Sequence, residues 1–182
     1  MIHCETGEIL FTDYGVSGIC IMQCARFINS IKAHFELNFI YKEFTEETLI
    51  KELLRRQRMY SYFSPSAMLD GILNAKLSYA VMKQAGIPLK GETAGDLSEN
   101  DIRKIARSAA NYRIEISGTR GFEYAQVTAG GADCREFFSC TMESKIVPGL
   151  YAAGEVLNVD GDCGGFNLMF AFASGMIAGK AV

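Results

Sequence analysis

Apolar positions recur along the chain at two periods, and the switches between them mark its elements. Residues 7–12 read as a short strand, followed by a turn through Asp13-Tyr14-Gly15. Ile21, Cys24, Ala25 and Ile28 then share one helical face, predicting a helix capped by Ser17 and running to about Ile31. Phe35, Leu37, Phe39 and Tyr41 alternate around Glu36, Asn38 and Ile40, the period of a strand over 35–41. Thr45 opens the next helix, with Glu46 and Glu47 in its first turn, Arg55, Arg56 and Arg58 in its last, and a stripe of Leu49, Ile50, Leu53 and Leu54. That charge order complements the helix dipole.

Ser64-Pro65 predicts another helix start, because proline loses nothing in the first turn. Leu69, Ile72, Leu73, Leu77 and Val81 carry the stripe on to Gly86, with Pro88 beyond as a stop. After a polar loop over 91–95, Ser98 and Asp101 form a capping-box pattern that opens a helix through Asn111. Residues 45–111 thus read as three successive helices. The period then returns to two at Tyr112, Ile114 and Ile116, with a further strand over 124–129 that Gly130-Gly131 breaks. Residues 150–153 are a short apolar run of strand type, and an apolar helix begins near Phe166. The three stripes are expected to pack on one another, with Leu73 among the buried positions. No internal repeat or low-complexity tract interrupts this α+β pattern.

Composition narrows the class. The chain has 182 residues, of which 49% are hydrophobic and 21% charged, enough apolar material for a sizeable core. A net charge of −3 and a pI near 5.5 argue against wholesale nucleic-acid binding. The first ten residues carry Glu5 and Glu8 without a basic stretch, unlike a signal peptide, and the apolar run from Phe166 is shorter than a membrane span and broken by Asn167 and Lys180. A soluble protein of the reducing cytoplasm is expected, with its 6 cysteines unpaired.

Most constellations of reactive residues fail on spacing. Cys20 and Cys24 lie one helical turn apart, but no second ligand pair follows and the only histidines are His3 and His34, so no metal site is expected. Asn158, Asp160 and Asp162 resemble the start of a calcium loop, yet Cys163 stands where glycine is needed and Met169 where glutamate is needed. Ser17 lacks the spacing of a nucleophile elbow. A phosphate-binding loop and a complete G-x-G-x-x-G are absent. Arg55, Arg56 and Arg58 could touch an anion or nucleic acid, but at a helix end they read rather as a solvated face.

The C-terminal stretch differs. Leu150-Tyr151-Ala152-Ala153-Gly154-Glu155 ends in a carboxylate suited to polyol hydroxyls, and Gly164-Gly165-Phe166-Asn167-Leu168 opens a helix with bare backbone N–H groups suited to negative charge. Pattern alone leaves two readings open, a cofactor site and a packing corner with glycines for clearance.

These residues resemble a known family. Pro148-Gly149-Leu150-Tyr151-Ala152-Ala153-Gly154-Glu155 looks like the last FAD-binding strand of two-dinucleotide flavoproteins. Val159-Asp160-Gly161-Asp162-Cys163-Gly164-Gly165-Phe166-Asn167-Leu168 resembles the BaiN/YhiN-like flavoproteins, also called the HI0933-like or aminoacetone oxidase family. Gly7-Glu8-Ile9-Leu10-Phe11-Thr12-Asp13-Tyr14-Gly15-Val16-Ser17-Gly18 and Gln126-Val127-Thr128-Ala129-Gly130-Gly131, with Thr141-Met142-Glu143-Ser144-Lys145, match the same family in the same order. Departures fall at Cys163, at Met169-Phe170 and Phe172, and at Glu136-Phe137-Phe138-Ser139-Cys140.

The resemblance implies a fragment of a flavoprotein about twice this length. Residues 1–130 would form an insert domain, a small β-barrel or antiparallel strands with the helical block. Residues 131–182 would form the C-terminal strand–loop–helix of a Rossmann-type FAD domain. Glu155 would lie by the ribityl chain, with Gly154 also cofactor-binding, Asp160 and Asp162 shaping the loop, and Gly164, Gly165, Phe166, Asn167 and Leu168 by the pyrimidine edge of the flavin. The family's chemistry, from amine oxidation to reduction of activated C=C bonds, implies an FAD-dependent oxidoreductase with a small-molecule substrate and a nicotinamide dinucleotide as a candidate electron donor. Catalytic residues are not assigned. No nucleic-acid or membrane partner is implied. Without the ADP-binding half the chain would bind FAD weakly or not at all, and residues 150–182 would rest on the insert, pair with a second copy or stay partly disordered. The alternative is a truncated, non-enzymatic helical binding module.

Overall fold

The computed structural model describes residues 3–28 and 33–182. The chain divides into two compact units, one joining Met1–Ile31 to Gly118–Val182 and the other formed by Lys32–Ser117.

In the first unit, β1 (Leu10–Thr12) and β2 (Gly15–Ser17) form an antiparallel hairpin with Phe11 opposite Val16. Helix α1 (Ile19–Ala25) follows. Its N-cap is Gly18, not Ser17, which ends β2 instead. Gly18 sits at φ 119° with the Glu8 carbonyl where a Cβ would stand, so close backbone approach displaces the expected hydroxyl cap. The helix stops at Ala25, short of the predicted end; residues 29–31 of that prediction lie outside the described residues.

The second unit is the helical block, closed at its base by a two-stranded sheet. β3 (Ala33–Leu37) pairs antiparallel with β4 (Tyr112–Ile116), Phe35 facing Ile114. β3 ends before the predicted residue 41 because Asn38 Oδ1 accepts the Ile40 N–H and turns the chain, sending Ile40 into the core. Helix α2 (Glu46–Met59) carries the expected Thr45 cap, reciprocated by the Thr48 hydroxyl. The predicted helix from Ser64 to Gly86 is two pieces: a 3-10 turn at Pro65–Leu69, then α3 (Ala75–Gln84). Gly71 at φ 77° interrupts the path, and the Asn74 side chain accepts from Leu77 N–H to start α3 afresh. Helix α4 (Glu99–Ala110) has the predicted Ser98–Asp101 capping box.

The core of this unit is built from Leu49, Leu53, Met68, Leu69, Val81, Met82, Ile102 and Ile105, all buried. Ile72 and Leu73, expected inside, are only partly buried, because the break before α3 moves them to the margin. The arginines of α2 are largely consumed locally. Glu52 pairs with both Arg55 and Arg56, and Arg56 also donates to the carbonyls of Met68 and Asp70. Those guanidiniums hold the Glu52 carboxyl down to about 2.

Returning to the first unit, the predicted strand over 124–129 is a 3-10 turn, Phe122–Tyr124, followed by irregular chain. Among the described residues no strand pairs with it, and Arg120 stacks between the rings of Tyr14 and Tyr124, 4.4 and 3.3 Å from their centroids. The run 150–153 contributes one antiparallel bridge, Tyr151 to Glu143, rather than a strand. Helix α5 (Phe166–Ala181) ends the chain. No helix among the described residues is long and apolar enough to cross a membrane.

Two tests follow from the block. Leu69→Ala removes a fully buried side chain and should cost about 2–5 kcal/mol in denaturant unfolding, with Leu73→Ala costing clearly less. Lys104, then the Ser98 hydroxyl and N–H, depress Asp101 to about 2. The stability this carboxylate contributes is therefore present above its unfolded pKa near 4 and is lost as pH falls toward 2. Asp101→Asn should destabilise the block at neutral pH and flatten the acid limb of its stability profile, read by circular dichroism melts.

Candidate functional site

The candidate residues lie in the C-terminal part of the first unit, where the backbone is mostly irregular. Its groups are paired by close backbone contact and by side chains. Ala132 N–H donates to the Val156 carbonyl at 2.8 Å, and Asn158 N–H to the Ala132 carbonyl at 2.9 Å, a parallel bridge between Ala132 and Leu157. This approach requires Gly131: a Cβ there would stand 2.6 Å from the Val156 carbonyl oxygen.

The bridge sets residues 128–132 beside the 3-10 turn Gly154–Val156. Exposed Glu155 accepts through Oε1 from both the N–H and the hydroxyl of Thr128, at 2.6 and 2.9 Å. The Thr128 N–H, followed by its hydroxyl, lowers the Glu155 pKa and keeps an acceptor-only carboxylate. Buried Gly154 donates its N–H to Ser174 Oγ at 2.9 Å, and that hydroxyl donates to the Phe170 carbonyl at 2.6 Å. Ser174 is the one fully buried side chain of α5, so the turn is moored to the helix through it.

The loop between the turn and α5 is held twice. Asn167 closes a two-way pair with Gly161, accepting its N–H and donating to its carbonyl at 2.7 and 3.0 Å. Asp160 and Asp162 both meet the guanidinium of Arg26. Gly164 and Gly165 then take φ values of 140° and 93° into the helix. Gly165 provides no side-chain cap, and the first turn has no acidic residue. The first-turn amides of Phe166, Asn167 and Leu168 are therefore the positive end of a 16-residue helix without a capping side chain, beside exposed glycines. Cys163 is exposed in the same loop.

The structure thus brings Gly154 and Glu155 to Thr128 and Ser174, and Asn167 to Gly161. Phe166 and Leu168 are exposed at the helix start. The Asp162 carboxylate goes to Arg26. Sequence reasoning did not single out Arg26 or give roles to Thr128 and Ser174. Thr128 lay inside a matched motif, whereas Arg26, more than 130 residues from its partners, carried no local signal. Among the described residues, no group of three or more His, Cys, Asp or Glu side chains could hold a metal.

Removing the mooring hydroxyl tests this arrangement. Ser174→Ala leaves a buried Gly154 N–H without its acceptor and should cost about 1–3 kcal/mol, with faster amide exchange at Gly154. A loss under about 0.5 kcal/mol would show that the turn does not depend on it.

Comparison with known proteins gives the family. Residues 76–181 match the model described as the HI0933-like protein Rossmann domain, and residues 1–127 match that of the HI0933-like protein barrel and H2TH domain. The chain is 32% identical over 181 residues to the 3-dehydro-bile acid delta(4,6)-reductase of Clostridium scindens, covering 97% of this chain and 44% of that protein. It is 31% and 29% identical over 170 residues to the ribosomal RNA dihydrouridine synthases of Haemophilus influenzae and Escherichia coli, covering 92% of this chain and 40% of each. The chain thus spans less than half the length of these curated relatives. With family models matching both its N-terminal and its C-terminal parts, the chain belongs to the HI0933-like protein family.

Proposed function

We propose that this chain is part of an FAD-dependent oxidoreductase and supplies the flavin-side binding segment together with the substrate-side insert. The observation that carries this reading is the uncapped N-terminus of α5 behind Gly164 and Gly165, held by the Asn167–Gly161 pair. A Cβ at Gly165 would occupy open space, and no acidic side chain stands in the first turn to repel an anion. These residues fit the electron-rich edge of a flavin ring. The amides of Phe166, Asn167 and Leu168 would donate to it, and the helix dipole would favour negative charge there. Glu155 would accept from cofactor hydroxyls through Oε2, which accepts no bond among the described residues. When bound, FAD supplies two-electron redox chemistry.

The relatives, named for their activities, share a reaction class. The two delta(4,6) double bonds of a 3-dehydro-bile acid and the pyrimidine C=C bond lost in dihydrouridine are all conjugated to a carbonyl. We propose the same class here: saturation of a carbonyl-conjugated C=C bond, the substrate gaining two electrons and two protons. The acidic pI, and the pairing of Arg55 and Arg56 with Glu52, favour a small conjugated carbonyl compound over RNA.

Magnitudes set the expected affinity. A few amide donors at about 0.5–1.5 kcal/mol each must offset an estimated 4–15 kcal/mol of lost freedom on association. The chain alone should therefore bind flavin weakly and emerge colourless from desalting. Titration of FMN and FAD by fluorescence quenching should give weak saturable binding. Gly165→Val and Glu155→Ala should each weaken it at least about tenfold, equivalent to about 1.4 kcal/mol. Quenching identical in the wild type and both variants would place the flavin elsewhere and sink the assignment.

A further inference from the structure

We propose that Arg26 is the positioning residue of the glycine loop, setting the path by which Gly164 and Gly165 present the α5 amides. The importance of that path for a cofactor rests on the flavin reading above; the hold itself does not.

The guanidinium uses all three of its nitrogens. Nε donates to the Gln23 carbonyl at 3.2 Å, which anchors the head group to the end of α1. Nη1 donates to both the backbone carbonyl and Oδ2 of Asp160, at 3.3 and 3.2 Å, and Nη2 donates to Oδ1 of Asp162 at 2.5 Å. The same head group lies 5.5 Å from the Phe27 ring centroid, and Phe27 stacks on His3 at 4.3 Å. Arg26 is thus seated on one side and forked across residues 160 and 162 on the other. Asn167 grips Gly161 between them. The first limb of the loop is therefore fixed at three consecutive residues before the two glycines begin.

Exposure decides what this does. The Arg26 side chain is 24% exposed, Asp160 27% and Asp162 63%. Ion pairs so open to water add little net stability. Their geometry is still specific, because a planar fork with fixed donors meets several acceptors at set angles, which a lysine ammonium cannot reproduce. Glycines at φ 140° and 93° have a wide choice of backbone states, so a loop containing them needs an external restraint to keep one path. Arg26 supplies that restraint across 134 residues of sequence, tying the N-terminal segment to the candidate site.

Hydrogen–deuterium exchange on the whole 182-residue chain tests this without any cofactor. Arg26→Gln should raise exchange across 161–166 at least about tenfold and leave α2 and α4 unchanged, with the melting temperature of the block preserved. Arg26→Lys should fail to restore protection. The double variant Asp160→Asn/Asp162→Asn should reproduce the loosened loop, and it keeps the test valid if Arg26→Gln does not fold. Unchanged exchange at 161–166 in these variants overturns the proposal. FMN titration supplies the second readout, with Arg26→Gln expected to weaken binding about tenfold. A loosened loop with undiminished FMN affinity would overturn the positioning role. A loosened loop in a chain whose wild type shows no FMN binding would support the hold of Arg26 and count against the flavin reading alone.

Discussion

The constraint behind the candidate site is that every backbone N–H and carbonyl taken from water needs a partner, in a segment with almost no sheet to provide one. Residues 118–165 contain short 3-10 turns and isolated bridges but no strand ladder. Side chains therefore do much of the pairing. Thr128 and Glu155 satisfy each other, Ser174 takes the amide of Gly154, Asn167 takes both polar groups of Gly161, and Arg26 takes the Asp160 carbonyl. Each bond also fixes a piece of loop relative to α5 or to the N-terminal segment, so satisfying the backbone and shaping the site are one event.

The helical block obeys a different balance. Its stability comes from burying Leu49, Leu53, Met68, Leu69, Met82, Ile102 and Ile105 between amphipathic helices whose own backbones are already paired. Caps sharpen the ends: Thr45 with Thr48, Asn74 with Leu77, and Ser98 with Asp101. Glu52 ties two arginines of α2 together, and one of them reaches the carbonyls of Met68 in the 3-10 turn and Asp70 just beyond it. The basic cluster thus helps to close the block on itself.

Helix α5 stands apart from both patterns. It is apolar on every face, yet Phe166, Leu168, Met169, Phe172 and Met176 are exposed, and only Ser174 is buried. Such a composition belongs to a helix covered on several sides. The curated relatives are themselves longer, this chain covering 44% of one and 40% of another.

What the sequence by itself determined was local. Helical stripes, the Thr45 and Ser98 caps, the Gly86 stop, the alternation at 112–116 and the glycine-fronted start of α5 were all legible, because each depends on residues a few positions apart. The family resemblance was legible for the same reason, being carried by short continuous motifs. Tertiary structure decided the rest. Gly18 displaced Ser17 as a cap because Glu8 folds back on it, and residues 124–129 form no strand because none pairs with them among the described residues. Leu73 moved to the margin when Gly71 and Asn74 split its helix. Arg26 became part of the loop because its two Nη nitrogens meet acceptors more than 130 residues away while Nε stays on the nearby Gln23 carbonyl. A period or a cap is written in neighbouring residues, whereas a fork across distant carboxylates exists only after the chain has closed.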